Sequence, residues 1–168
     1  MDAKDILIEA LGRLPDEVRT AVHGLSPEQL RTAPAEGANP VGWLVWHLTR
    51  VQDSHVTELL GSDAEQVYIT GDWARRFGRK ADPSDTGYSH SAADVAAVRP
   101  ESAQALEDYY AAVHERTLGY LRGLTDDDLD RVVDEDWDPP VTLGVRLISV
   151  VDDDVQHAGQ AAYVRGLL

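Results

Sequence analysis

Residues 39–61, NPVGWLVWHLTRVQDSHVTELLG, decide how the rest of the chain is read. Asn39-Pro40 is a helix-start signal and Gly61 a helix stop, and between them Val41, Leu44, Val45, Leu48, Val51 and Leu59 fall on one stripe. Apolar residues at steps of three and four share one face, so this spacing predicts a long amphipathic helix. A shift of 99 residues brings the same features round again. Asn39-Pro40 falls on Asp138-Pro139, Leu44 on Leu143, Leu48 on Leu147 and Val51 on Val150. Upstream, Gly24-Leu25-Ser26 through Leu30 falls on Gly123-Leu124-Thr125 through Leu129. Caps and stripe residues that stay in step predict two copies of one unit: long helix, short helix, loop, long helix.

The remaining elements follow outward. From Asp5 to about His23 the residues Ile6, Leu7, Ala10, Leu11, Leu14, Val18, Ala21 and Val22 predict a first helix, with Pro15 as a point of kinking. Ser26-Pro27-Glu28-Gln29 carries a cap, a Pro at the first helical position and a Gln three residues on, which starts a short helix. A further helix is predicted from Glu101 to Leu124, a short one capped by Thr125 with Asp128, and a last one from about Val141 to Arg165. Between Gly61 and Glu101 Gly, Pro, Asp and Ser are scattered without periodicity, although Ser91 with Asp94 can cap a short helix. Loops of such length within a compact domain are usually functional or mobile. Trp73 and Phe77, in GDWARRFG, suggest a piece that packs back on the body. The expectation is one all-α domain over residues 1–168, an up-down four-helix bundle built from two pseudo-repeats. The interior of such a bundle is a usual place for a metal.

Composition narrows the chemistry. Cysteine is absent, so disulfides, zinc–thiolate clusters and a cysteine nucleophile are excluded, and any metal must use nitrogen and oxygen ligands. A net charge of −15 repels nucleic-acid phosphates and anionic membranes. No run approaches the roughly 20 apolar residues that span a bilayer. The acidic start MDAKDILIEALG lacks the charge pattern of a secretory signal, so a cytoplasmic location is expected. Only Lys4 and Lys80 stand among the basic residues beside Arg, which hints at a GC-rich genome. No nucleophile elbow, P-loop, dinucleotide fingerprint or HExxH motif occurs.

Asp153 and His157 are four apart on the last predicted helix, with Cβ atoms roughly 6 Å apart on one face, close enough to share an ion. Asp154 lies within the apolar stripe and can also reach His157, and a buried carboxylate is costly unless it is paired or metal-bound. On spacing alone, Asp152-Asp153-Asp154 is more often a solvated acidic run beside a hydrogen-bonded histidine. His47 sits at the edge of the stripe next to Trp43 and Leu44, where a lone histidine is more often structural than a ligand. His55 is about 12 Å further along the helix, too far to share an ion with His47. It reads as a core residue or as a support for the ligands, and His23, His90 and His114 read as ordinary surface residues.

WLVWHL (Trp43 to Leu48), the internal repeat and DDDVQHAGQAAYVRG (Asp152 to Gly166) together carry a resemblance. The chain resembles the DinB-like superfamily of bacterial metalloproteins, especially its actinobacterial members related to mycothiol-dependent maleylpyruvate isomerase. The resemblance implies a divalent ion, zinc or nickel, held by one histidine of the second long helix and a pair from the last. On that pattern His47, Asp153 and His157 are the ligands. Asp153 stands where the family usually has His or Glu, and Gln160 where many relatives read His-x-Gly-His; the shorter reach of Asp implies a shift of the helix, a bridging water or Asp154 as the ligand instead. The family's activity implies a metal- and mycothiol-dependent S-transferase or isomerase acting on a small electrophile. Trp43, Trp46, Trp73, Tyr163 and Arg165 are the candidate pocket residues, each with packing or surface solvation as the plainer role. The competing expectations are a hydrolase of the same fold and a non-catalytic, stress-associated metal-binding homodimer.

Overall fold

A computed structural model describes residues 1–168. Helix α1 (Ala3–Val22) opens with a capping box between Asp2 and Asp5 and runs through Pro15 unbroken. Ser26 and Gln29 cap α2 (Pro27–Arg31), which leads to α3 (Val41–Leu60), stopped by Gly61. A long crossover then carries three short helices, α4 (Val67–Thr70), α5 (Trp73–Arg76) and α6 (Ala92–Ala97), the last capped by Ser91 with Asp94. The second half repeats the first: α7 (Ala103–Arg122), a 3-10 turn (Asp126–Asp130) where α2 stood, and α8 (Leu143–Arg165). Sequence periodicity did not predict the small antiparallel hairpin of β1 (Val132–Asp134) and β2 (Val141–Thr142) ahead of α8.

Residue contacts fix the directions of the four long helices. Arg50 meets Tyr109 and Arg116 meets Thr57, so α3 and α7 run parallel. His47 meets His157 and His55 meets Arg146, so α3 and α8 run antiparallel. Each repeat is itself an up-down pair, and the crossover returns the chain along the bundle so that the second pair runs down-up. The core joins Leu7, Leu11, Leu14 and Val18 of α1 to Leu44 and Leu48 of α3, Leu106 and Val113 of α7, and Leu143 and Leu147 of α8.

The crossover is tied down by buried polar groups of α3. Arg50, fully buried, donates to the carbonyls of Asp85 (2.9 Å) and Pro83 (3.0 Å) and to Gln66 (2.7 Å). Its charge is met by Asp53 at 3.4 Å, and its guanidinium lies 4.1 Å from the centre of the Tyr68 ring. Asp53 accepts the backbone N–H groups of Val67 and Tyr68, the unpaired donors at the start of α4, as well as the Tyr109 hydroxyl. Trp73 and Phe77 pack on Tyr109, as expected of the GDWARRFG run. No helix is long and apolar enough to cross a membrane.

Candidate metal centre

The crossover ends its path along α3 by laying Thr86, Gly87 and Tyr88 over His47. The His47 ring is almost wholly buried, stacks on Trp43 at 4.6 Å and meets the Tyr88 ring edge-on at 5.5 Å. Its Nδ1 donates to the Thr86 carbonyl at 2.5 Å, leaving Nε2 as the nitrogen free to bind an ion. Gly87, at φ +99°, has to be glycine, because a Cβ there would run into His47 Nδ1. Burial pulls the His47 pKa down further than the Thr86 carbonyl raises it, and the neighbouring His157 adds to the fall. His47 is therefore the neutral imidazole that a metal requires.

From α8, His157 brings its ring to 4.7 Å from that of His47. Its Nδ1 bonds the carbonyl of Asp153 one turn back at 2.8 Å, again freeing Nε2. Burial lowers its pKa, but the Asp153 carboxylate and carbonyl outweigh this and the net shift is upward. Asp153 Oδ2 lies 3.4 Å from the same nitrogen and is buried without a hydrogen-bond partner. One ligand atom each from His47, Asp153 and His157 lies within 4.8 Å of the others. Two imidazoles with their outer nitrogens engaged, beside an orphaned carboxylate oxygen, make a donor set suited to a divalent ion. The group borders a cleft of about 180 Å³ lined by Val51, His55, Tyr88, Ser149 and Gln156 among others.

The other predicted site residues scatter. Asp154, weighed as a substitute ligand, points into the core instead: it is fully buried, both its oxygens lack partners, and burial pushes its pKa well above the usual carboxylate range. Trp43 belongs to the site as the plane on which His47 stacks, whereas Trp46 is sealed in the core against His90. Trp73 packs on Tyr109 within the crossover. Tyr163 is 71% exposed, and Arg165, two turns beyond His157, donates to the Ala21 carbonyl of α1, so neither is brought to the ligand group.

Two histidines read as surface residues are not. His90 accepts from Trp43 Nε1 (3.1 Å), donates to Asp85 (2.9 Å) and thereby pins the crossover beside the site. His114 stacks on Tyr110, its Nδ1 buried without a partner, and burial lowers its pKa. His23 is exposed, as expected. His55 lines the cleft and accepts from Arg146 at 2.9 Å. Arg146 itself was missed, although the 99-residue register places it on His47.

The sequence matches the family model of the DinB superfamily over residues 10–161. The chain is also similar to a solved structure, that of a conserved protein from Enterococcus faecalis. The two are 30% identical and superpose with a TM-score of 0.90, over 99% of this chain and 97% of that one. No curated protein matches the sequence.

Proposed function

We propose that this chain, which belongs to the DinB superfamily, is a metal-dependent enzyme that uses a low-molecular-weight thiol, mycothiol, to transfer or isomerise a small electrophile. The observation that carries this reading is a three-residue nitrogen and oxygen ligand group at the edge of a cleft, in a chain with no cysteine of its own. Three protein ligands are the arrangement of a catalytic site, whereas structural sites are closed by four. A zinc or nickel ion held by His47, Asp153 and His157 would supply positive charge and open coordination positions, which favour a thiolate over a thiol.

The protein's own groups do the rest. The Thr86 carbonyl and Trp43 fix the orientation of the His47 ring, and the Asp153 carbonyl fixes that of His157. Tyr88, with its pKa raised first by burial and then by Asp153, keeps its phenolic proton at neutral pH and can donate it in a hydrogen bond to a polar substrate in the cleft. His55 and Ser149 supply further polar contacts along the same wall.

Metal analysis of the purified protein beside His157→Ala tests the premise, with about one ion per chain expected in the wild type and most of it lost in the variant. Full occupancy in His157→Ala would rule out this ligand set. Metal-dependent consumption of mycothiol with an electrophile is the expected activity, and stoichiometric metal without turnover over a panel of electrophiles would leave a binding protein.

A further inference from the structure

The two ends of the seam between α3 and α8 are related by the internal repeat. The 99-residue register carries His47 onto Arg146 and Glu58 onto His157, so the two imidazoles of the metal group correspond to a guanidinium and a carboxylate at the other end. That second pair also meets across the seam, with Arg146 Nη1 3.7 Å from Glu58. Arg146 is only 16% exposed and is held by its other branch to Asp134 of the hairpin at 2.7 Å. The two ends are joined: His55 lines both the cleft beside the metal group and a second cavity of about 540 Å³ that includes Arg131, Asp134 and Arg146. Arg146 and Asp153 are seven residues apart on α8, two turns, so they lie on the same face at a separation of about 10 Å.

The Glu58 contact is the loose one. It is longer than a hydrogen bond, as is the 3.5 Å approach of the same carboxylate to His55, and Glu58 is 63% exposed. Nη1 keeps His55 as a neutral neighbour, since burial and the Arg146 charge both lower the pKa of that imidazole. A planar guanidinium fixed on one side and loosely partnered on the other is suited to a bidentate anion.

We propose that Arg146 and His55 form an anion subsite, and that the electrophilic substrate brings to its thiol adduct a carboxylate about two helical turns from the sulfur. The carboxylate takes the place of Glu58 on Arg146 while the other end of the molecule lies at His47, Asp153 and His157. The inference rests on the proposed thiol site, and its test separates the two.

Calorimetric titration of the metal-loaded protein with ω-mercaptocarboxylates of increasing length, beside ω-mercaptoalcohols of the same lengths, reads both ends at once. The carboxylates are expected to bind about tenfold tighter than the matching alcohols, with the advantage greatest where the extended chain spans about 10 Å. Arg146→Gln should abolish that advantage and leave the alcohols unaffected, and Asp134→Asn should enlarge it by removing a competing carboxylate. Loss of affinity in both variants would mean a purely structural role for Arg146. An advantage independent of length, or one that survives Arg146→Gln, would overturn the proposal.

Failure of every thiol to bind would dispose of the thiol reading alone. The subsite is then read without metal, by adding glutarate to the metal-free protein and following the His55 imidazole signals by NMR. A saturable shift in the wild type that Arg146→Gln removes is expected, and no shift in the wild type would end the proposal.

Discussion

Helices α3 and α8 are corresponding parts of the two repeats, yet they live in different surroundings. Of the 20 residues of α3, 15 are buried, including Thr49, Arg50, Gln52 and Asp53; of the 23 in α8, only seven are, and Val145 and Ile148 lie open to solvent. The register explains the contrast residue by residue. Trp46 corresponds to the exposed Val145, Arg50 to the exposed Ser149, and Asp53 to the exposed Asp152. The outer face of α3 is roofed by the crossover and that of α8 is bare. Polar residues on α3 therefore serve to hold a length of chain, which in turn holds His47, and the same positions on α8 have nothing to hold. One unit used twice thus yields a roofed wall and an open one, with the candidate ligand group at the line where they meet.

The contrast can be tested at its strongest point by removing Arg50. Arg50→Met leaves the buried Asp53 carboxylate with only the more distant Arg116, at 3.9 Å, as a charge partner and frees the Asp85 and Pro83 carbonyls, at an expected cost of about 3–5 kcal/mol in denaturant unfolding. Ser149→Ala, its counterpart, should stay within about 0.5 kcal/mol. Comparable losses in the two would erase the distinction between the faces.

Gly87→Ala probes the roof where it touches the site. The new methyl meets His47 Nδ1 in a backbone conformation that alanine resists, so metal affinity measured against a competing chelator should fall about 10–100-fold. Unchanged affinity would show that the roof does not set the orientation of His47.

The smallest effect is expected at Asp154, whose counterpart in the first repeat is His55. Burial first, and the Asp153 charge second, push the Asp154 pKa well above the usual carboxylate range, so the folded chain holds this proton more tightly than the unfolded one. Stability from this group is complete below the unfolded value and is lost as pH rises through the range up to the folded one. Asp154→Asn should accordingly stabilise the protein at neutral pH by about 1–2 kcal/mol, a rise in Tm of a few degrees. That gain should shrink as pH falls towards 4, and a gain of equal size at both pH values would refute the assignment.

The four long helices and their caps were legible because each carries enough stripe residues for its period to show, and the repeat supplied their pairing. Asp153 and His157 were legible as a pair for the same reason: one helix fixes their spacing. Spacing on a single helix could not show that His47 would meet them, and that step came from the family resemblance. What escaped depends on the crossover and the hairpin, which have no period to read. β1 and β2 span three and two residues, too few to alternate visibly. His90 looked like a surface residue because its partners, Trp43 and Asp85, come from α3 and from elsewhere in the crossover. Tyr163 and Arg165 lie on the right helix but beyond its contact with the cleft. Arg146 was within reach, since the register that aligned Leu44 with Leu143 also aligns His47 with a charged residue.

The hydrogen bond from His47 to the Thr86 carbonyl joins residues 39 positions apart in the chain, and it makes ion occupancy and seating of the crossover parts of one equilibrium. Reciprocity requires that the factor by which a seated crossover tightens the ion is also the factor by which the ion tightens the crossover. If the site is loaded as proposed, loss of the ion would loosen the part of the crossover around Thr86 to Tyr88 that lies on His47, and would open it to proteases. Metal supply would then govern how long the protein lasts in the cell as well as what it can do there.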